Sequence, residues 1–453
     1  MRRPNMRHLL ILTTFTLLCS IPAVSQEALP LPDLATKRLM NDLQVTVAKT
    51  PYLGSNMAIG LGIRYGAYFD PAGKGGVANI LSRMFLKATI EKTAKDIQDE
   101  LAYLDASIEV RCDWDGFRFI LRGQSAKFAP SLLLLYQVVG EAQFTDEDFA
   151  AAKQSILAEM QKTPDPRQRI HTQFENVLFD GTSHGRPLEG TPKSISAITV
   201  GDVRYFYRKF IMPNQASLIV VGDVSSREVL QRVSRIWGVW VRGDDVPFSF
   251  VQPRKPAGRQ IFLDDDASSP AAQFVIGNLF PSREDPVYGT ALLAASIFQE
   301  RLTKALPTSL LTVGTASRRM ASPFYAQGQA AAEQAVEQIL KIESTADQMK
   351  AAPVTKEELD IARKKMIEEF NHELSSPEGL CGIMLDAEMY RLGSNYASMY
   401  PEQLRRCDEN AVSQAAKNYL FPDGEVLLIR GPAATLKPVL SPLGTVRPLA
   451  PDF

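Results

Sequence analysis

Few side chains in this sequence have both the chemistry and the spacing to build a catalytic centre. Histidine occurs four times in 453 residues. Beyond the N-terminal segment it leaves His171, His184 and His372. No two of them stand at the i, i+4 interval that sets two imidazoles on one helix face. The cysteines Cys19, Cys112, Cys381 and Cys407 contain no Cys-x-x-Cys pair, so no thiolate zinc site is spelled out. Gly181-Thr-Ser183-His-Gly185 matches the Gly-x-Ser-x-Gly form of a nucleophile elbow. Such an elbow needs a buried strand before the serine and a helix after it, and Arg186-Pro187 follows at once. A chance match is the simpler reading, and any observed hydrolysis should survive Ser183→Ala. Gly60-Leu-Gly62 opens no helix and is not a phosphate loop.

The elements that would carry a site come in two copies. Phe144-Thr-Asp-Glu-Asp-Phe149 matches Val354-Thr-Lys-Glu-Glu-Leu359. Each reads as a helix capped by a threonine, with carboxylates in its first turn. Phe149, Ala152, Ile156 and Met160 have the spacing of one apolar face, as do Leu359, Ala362, Met366 and Phe370. A second match keeps nearly the same offset. The amphipathic stretch from Asp202 to Phe210, Met212-Pro213, the apolar run Leu218 to Val221 and Gly222 correspond to Val412 through Tyr419, Phe421-Pro422, Leu427 to Ile429 and Gly431. Two matches in register indicate a duplicated domain of roughly 210 residues. Strand signals at Met57–Ile63, Phe117–Leu121, Phe274–Ile276 and Val426–Ile429 mix with consecutive helices such as 93–104 and 129–143. That mixture predicts α+β lobes rather than alternating βαβ units. The Pro-, Gly- and charge-rich stretch over 241–257 predicts a linker. The lobes are then 26–240 and 258–435, followed by a tail over 436–453.

Composition excludes several partners. The formal net charge is -1 and 45% of residues are hydrophobic, an ordinary globular balance with no field to gather nucleic acid. The start differs. Arg2, Arg3 and Arg7 precede an apolar run from Leu9 to Leu18, and Ala23-Val24-Ser25 supplies small residues. This predicts a secretory signal over 1–25, cut before Gln26. The run is shorter than the roughly 20 residues of a spanning helix, so no stable membrane span is expected after cleavage. Leu18 is bulky where a lipid-modified Cys19 would want a small neighbour. Export to the periplasm or beyond places Cys112, Cys381 and Cys407 in an oxidising compartment. They read as buried thiols, or as one optional bridge between Cys381 and Cys407.

Several stretches resemble the insulinase-like peptidases, a family that includes pitrilysin and the mitochondrial processing peptidases. They are Arg64-Tyr-Gly-Ala-Tyr-Phe-Asp-Pro through Asn79, His184-Gly-Arg-Pro-Leu-Glu-Gly-Thr191, Pro213-Asn214, Val220-Val-Gly-Asp223, Asp285-Pro-Val-Tyr288 and Gln299-Glu-Arg-Leu302. The resemblance covers essentially the chain beyond the leader. It implies two similar α+β lobes forming a clamshell around an unfolded peptide. It also implies a zinc endopeptidase or the partner subunit of one. The family's zinc motif is His-x-x-Glu-His with a further Glu on a later helix. Two histidines bind the metal, the first Glu activates water, and the distant Glu completes the site.

This chain departs from that motif. Asn79-Ile-Leu-Ser-Arg83 stands in its place, with Asn79 and Arg83 for the histidines and Ser82 for the general base. Asn is a poor zinc ligand, Ser is no carboxylate base and Arg is a permanent cation. Glu159 alone matches a ligand position, and it aligns with Glu369 of the second copy. No cofactor is therefore expected in this chain, zinc being reserved for an intact homologue. Active members also carry an Arg and a Tyr in the second half. The matching stretch, Pro307 to Thr315, has neither, and Arg318 and Tyr325 fit only by breaking the alignment. The leading expectation is a non-catalytic subunit pairing with a zinc-bearing homologue around an unfolded peptide. The alternatives are a stand-alone peptide-binding scaffold without enzymatic activity and a metallopeptidase using an unrecognised site.

Overall fold

The computed structural model describes residues 32–162, 165–421 and 424–449. The expected leader, Cys19 and Pro422 of the internal match lie outside them.

The first sheet contains β1 (Leu34–Arg38), β2 (Gln44–Lys49), β3 (Asn56–Ile63), β4 (Ser107–Cys112), β5 (Phe117–Gln124) and β6 (Ala216–Gly222), in the order β1-β2-β6-β3-β5-β4. The second contains β7 (Gly258–Asp265), β8 (Ala272–Phe280), β9 (Thr312–Thr315), β10 (Ser322–Ala330), β11 (Gly424–Gly431) and β12 (Val446–Pro448), in the order β12-β7-β11-β8-β10-β9. The duplication read from two short matches is thus a duplication of topology. In each sheet the last long strand returns to the centre, parallel to the first inner one and antiparallel to the next. One edge differs. β1 runs antiparallel to β2, whereas β12 fills the equivalent edge by running parallel to β7. Residues 436–453 are therefore no tail in their described part: they finish a helix and close the second sheet.

The helices of the first lobe are α1 (Val77–Met84), α2 (Ala94–Leu104), α3 (Phe128–Gly140), α4 (Asp146–Met160), α5 (Pro166–Leu178), α6 (Pro192–Ala197), α7 (Val200–Phe210) and α8 (Ser226–Ile236). Those of the second are α9 (Tyr288–Ala305), α10 (Ala332–Ala351), α11 (Lys356–Leu374), α12 (Pro377–Met389), α13 (Tyr396–Arg406), α14 (Glu409–Tyr419) and α15 (Ala433–Leu440). The two repeated threonines cap as their sequence predicts. Thr145 Oγ1 accepts from the amide of Asp148 at 3.0 Å, and Thr355 Oγ1 from that of Glu358 at 3.2 Å.

Central strands such as β3 and β8 are buried along almost their whole length rather than at alternate residues. Both sheet faces must then be covered. One face carries its own lobe's helices. The other is covered by a helix of the opposite lobe: α12 lies on β3 and β6, and α5 lies on β8 and β11. This exchange places Cys381 and Leu385 over Gly60, where an added Cβ would come 2.5 Å from Cys381 Sγ. It likewise seats Phe174 over Gly277, where the same atom would meet the ring at 2.5 Å. The fully buried Leu385 and Phe174 side chains each contribute about 1.5–3 kcal/mol by leaving water.

Cys381 is thus a packing residue, and both it and Cys407 are free thiols. The optional bridge between them does not form. Cys407 instead sits beside the Thr290 hydroxyl at 3.3 Å.

The stretch 241–257 carries no helix or strand, but it is pinned. Phe248 stacks on Tyr65 with ring centres 5.1 Å apart, and Phe250 stacks on Tyr68 at 4.6 Å.

Candidate functional site

Asn79, Ser82 and Arg83 share the outward stripe of α1, because Val77, Ala78, Ile80, Leu81 and Met84 take the buried one. The helix start is fixed from outside it. Asp70 accepts hydrogen bonds from the amides of Gly76 (2.7 Å) and Ala78 (2.9 Å). Gly76 adopts φ +100, a left-handed conformation that glycine tolerates, so the chain can turn into the helix there. The stripe faces α4, which packs against α1.

Glu159, on α4, lies directly opposite. Arg83 Nη1 and Nη2 donate to Glu159 Oε1 and Oε2, each at 2.8 Å, in a fork across the two helices. Ser155 Oγ donates to Glu159 Oε1 at 3.2 Å. The Arg83 guanidinium holds the Glu159 carboxyl below the usual carboxylate range. Ser82 donates its hydroxyl back to the Asn79 carbonyl at 2.7 Å, which turns it away from chemistry. Asn79 Nδ2 is buried and has no hydrogen-bond partner among the described residues. The four residues singled out from the sequence therefore do come together.

Their donor set does not fit a zinc ion. The one carboxylate is occupied on both oxygens by a guanidinium, which brings a positive charge to the place a cation would need. The remaining polar groups are one amide and one hydroxyl already bonded to backbone. Among the described residues no group of three or more His, Cys, Asp or Glu side chains could hold a metal. The second lobe ties its corresponding helices in the same manner, Arg301 on α9 forking onto Glu358 on α11 at 2.8 Å and 2.8 Å.

The remaining candidates meet at the seam between the lobes. Arg318 Nη2 reaches both oxygens of Glu175, on α5, at 2.9 Å. Its guanidinium lies 3.8 Å over the ring of Trp114. Glu175 also faces His171 Nε2 at 3.6 Å, and the His171 ring packs edge-on to Tyr325 with centres 4.4 Å apart. Arg318 and Tyr325 are thus linked through Glu175 and His171, a connection that sequence spacing did not reveal. Close by, Asp115 Oδ2 accepts from the Arg319 amide (3.0 Å) and the Tyr390 hydroxyl (3.2 Å), again across the lobes. Burial, then the neighbouring Asp113, raises the Asp115 carboxyl above its ordinary range.

His184 is a structural residue. It is buried, bonded at Nδ1 to the Tyr68 hydroxyl at 2.6 Å, and burial followed by the charge of Arg318 keeps its imidazole neutral, far below the usual value. Ser183 follows α5 rather than a strand, the next helix begins only at Pro192, and the Ser183 Oγ accepts from Arg186 Nη2 at 2.8 Å. The geometry of a nucleophile elbow is absent.

Two family models match the chain. One described as "Insulinase (Peptidase family M16)" covers residues 46–192, and one described as "Peptidase M16 inactive domain" covers 197–366. Among curated proteins, an uncharacterized zinc protease of Rickettsia bellii is 26% identical over 51% of this chain and 55% of its own length. The mitochondrial-processing peptidase subunit beta of Rattus norvegicus is 22% identical over 54% of this chain and 50% of its own length. The chain thus spans about half the length of the curated relatives it matches. The fold is also that of a solved M16 inactive-domain protein from Pseudomonas fluorescens, with TM-score 0.80, 21% identity and coverage of 88% and 98% of the two chains. The periplasmic protease PqqL of Escherichia coli matches with TM-score 0.76 and 13% identity, over 94% of this chain and 49% of that one.

Proposed function

Because this chain belongs to the insulinase peptidase family M16 by models on both of its halves, we propose that it is a non-catalytic member whose zinc tie has become an ion pair. Asn79, Ser82 and Arg83 stand at the positions of the family's zinc motif, and Glu159 is the remaining ligand position. The observation that carries this reading is the fork of Arg83 on Glu159. A metal in an intact site joins these two helices; here the guanidinium supplies the positive charge and joins them without chemistry.

The chain then serves as the metal-free wall of a peptide chamber, with a zinc-bearing homologue as the other wall and an unfolded peptide as substrate. It carries no zinc itself. It is exported, in keeping with the sequence of residues 1–25, and no helix among the described residues is long and apolar enough to cross a membrane.

The test is co-purification with an intact M16 homologue from the same genome, followed by a peptide-cleavage assay of each chain alone and of the mixture. Cleavage that appears or rises several-fold only in the mixture, in a stable complex, supports the pairing. A monomer that ignores the homologue while still binding unfolded peptide favours the stand-alone scaffold instead. Cleavage by this chain alone overturns the reading.

A further inference from the structure

The duplication allows the two lobes to be compared position by position, and one comparison exposes a cavity. Gly222 and Gly431 end corresponding strands, which sets Ile219 level with Leu428. Thr46 pairs with Ile219 across β2 and β6, and Phe262 pairs with Leu428 across β7 and β11. Thr46 and Phe262 are therefore one position in two copies. The covering helices α12 and α5 both begin at a proline and span 13 residues. Glu388 of the first lobe's cover then corresponds to Val177 of the second lobe's cover.

In the second lobe these positions are filled: Phe262 and Val177 both pack into the apolar layer that contains Leu428. In the first lobe the exchange of Phe for Thr46 and of Val for Glu388 leaves a cavity of about 140 Å³. Its lining includes Ile219, Thr46, Met384 and Glu388, together with Leu34, which is 41% exposed. Two polar residues, Thr46 and Glu388, line the space among mainly apolar side chains, and the exposed Ser394 and Asn395 and the half-buried Ser398 line it too. The Thr46 hydroxyl is buried with no hydrogen-bond partner among the described residues. Glu388 Oε2 accepts from Ser217 Oγ at 3.3 Å, and burial raises its carboxyl above the usual range against the smaller opposing pull of Arg64 and Arg38.

We propose that this cavity binds a primary amine carried on a compact apolar group. An apolar space of about 150 Å³ accepts a single benzene-sized ring. The ammonium pairs with Glu388 and donates to the Thr46 oxygen, so the buried Thr46 hydroxyl gains a partner. The same chemistry comes from a small monoamine or from the N-terminal residue of a peptide with an apolar side chain. The site is separate from the α1–α4 ion pair and does not depend on any pairing with a peptidase.

The experiment uses the full mature chain and ligand-observed NMR saturation transfer. The probes are benzylamine and the tripeptide Phe-Ala-Ala, each beside its N-acetylated form. The variants are Glu388→Gln and the double Thr46→Phe, Glu388→Val, which copies the packing of the second lobe and is expected to fold as well as the parent by circular dichroism. Binding of benzylamine, lost on acetylation and weakened at least ten-fold in the double variant and in Glu388→Gln, supports the site. Parallel binding of Phe-Ala-Ala assigns a peptide terminus as the source; benzylamine alone assigns a small amine. No saturation transfer from either amine, equal binding of the acetylated forms, or undiminished binding in either variant overturns it.

Discussion

Arg83 of α1 grips Glu159 of α4 through two parallel hydrogen bonds of 2.8 Å, though the residues are 76 apart in sequence. The pair joins the two helices that, on the proposed reading, hold the positions of the family's zinc motif. It is half-open to water, with side-chain exposures of 31% and 47%, so its net worth is modest. A double-mutant cycle of Arg83→Ala and Glu159→Ala should give a coupling of about 0.2–1 kcal/mol by denaturant unfolding. A coupling of zero would mean that the fork is not held in solution.

The same pair sets a pH dependence. Glu159's folded-state carboxyl is lowered, so its contribution is present above the ordinary carboxylate value and fades as pH falls through the lower folded one. Stability of the parent should therefore drop more between neutral and acid pH than that of Glu159→Gln. Identical pH profiles for the two proteins would contradict this.

The Glu175–Arg318 pair is a different case, because side-chain exposures of 11% and 7% leave it almost dry. Removing either partner strands a buried charge at the seam between the lobes. Arg318→Ala or Glu175→Ala should destabilise by about 3–5 kcal/mol, while an apolar pair such as Glu175→Leu with Arg318→Met should recover most of the loss. Thermal unfolding of the four proteins checks this, and single variants as stable as the parent would refute it.

Thiol reactivity separates the cysteines. Burial pushes the Cys381 thiol up to about 12, and its sulfur is packed against Gly60. Cys407 is half-exposed. Iodoacetamide should label Cys407 in the native protein and spare Cys381 until denaturant is added. Peptide mapping that finds a Cys381–Cys407 disulfide would contradict the packing.

Much of this was legible in the residues. Thr145 and Thr355 announced their helices because a cap is a local device, read within four residues. Asn79, Ser82, Arg83 and Glu159 could be singled out one by one, since a motif is recognised by its positions. That Arg83 would turn toward Glu159 was not legible, because nothing in the spacing of two helices states which faces meet. The crossing of α5 and α12 onto each other's sheets was hidden for a related reason. Their apolar faces reveal burial but not the identity of the surface that buries them. Strand β12 escaped notice because three residues ending in a proline carry no strand pattern of their own and gain one only from the open edge of β7.

On the proposed reading, Arg83 closes the family's zinc site in this chain. Elemental analysis of the purified protein beside the variant Asn79→His, Ser82→Glu, Arg83→His, both dialysed against trace zinc, tests this. The parent should hold no stoichiometric zinc and the variant close to one zinc per chain, lost again on Glu159→Ala. One zinc per chain in the parent, removed by that same Glu159 substitution, would contradict it.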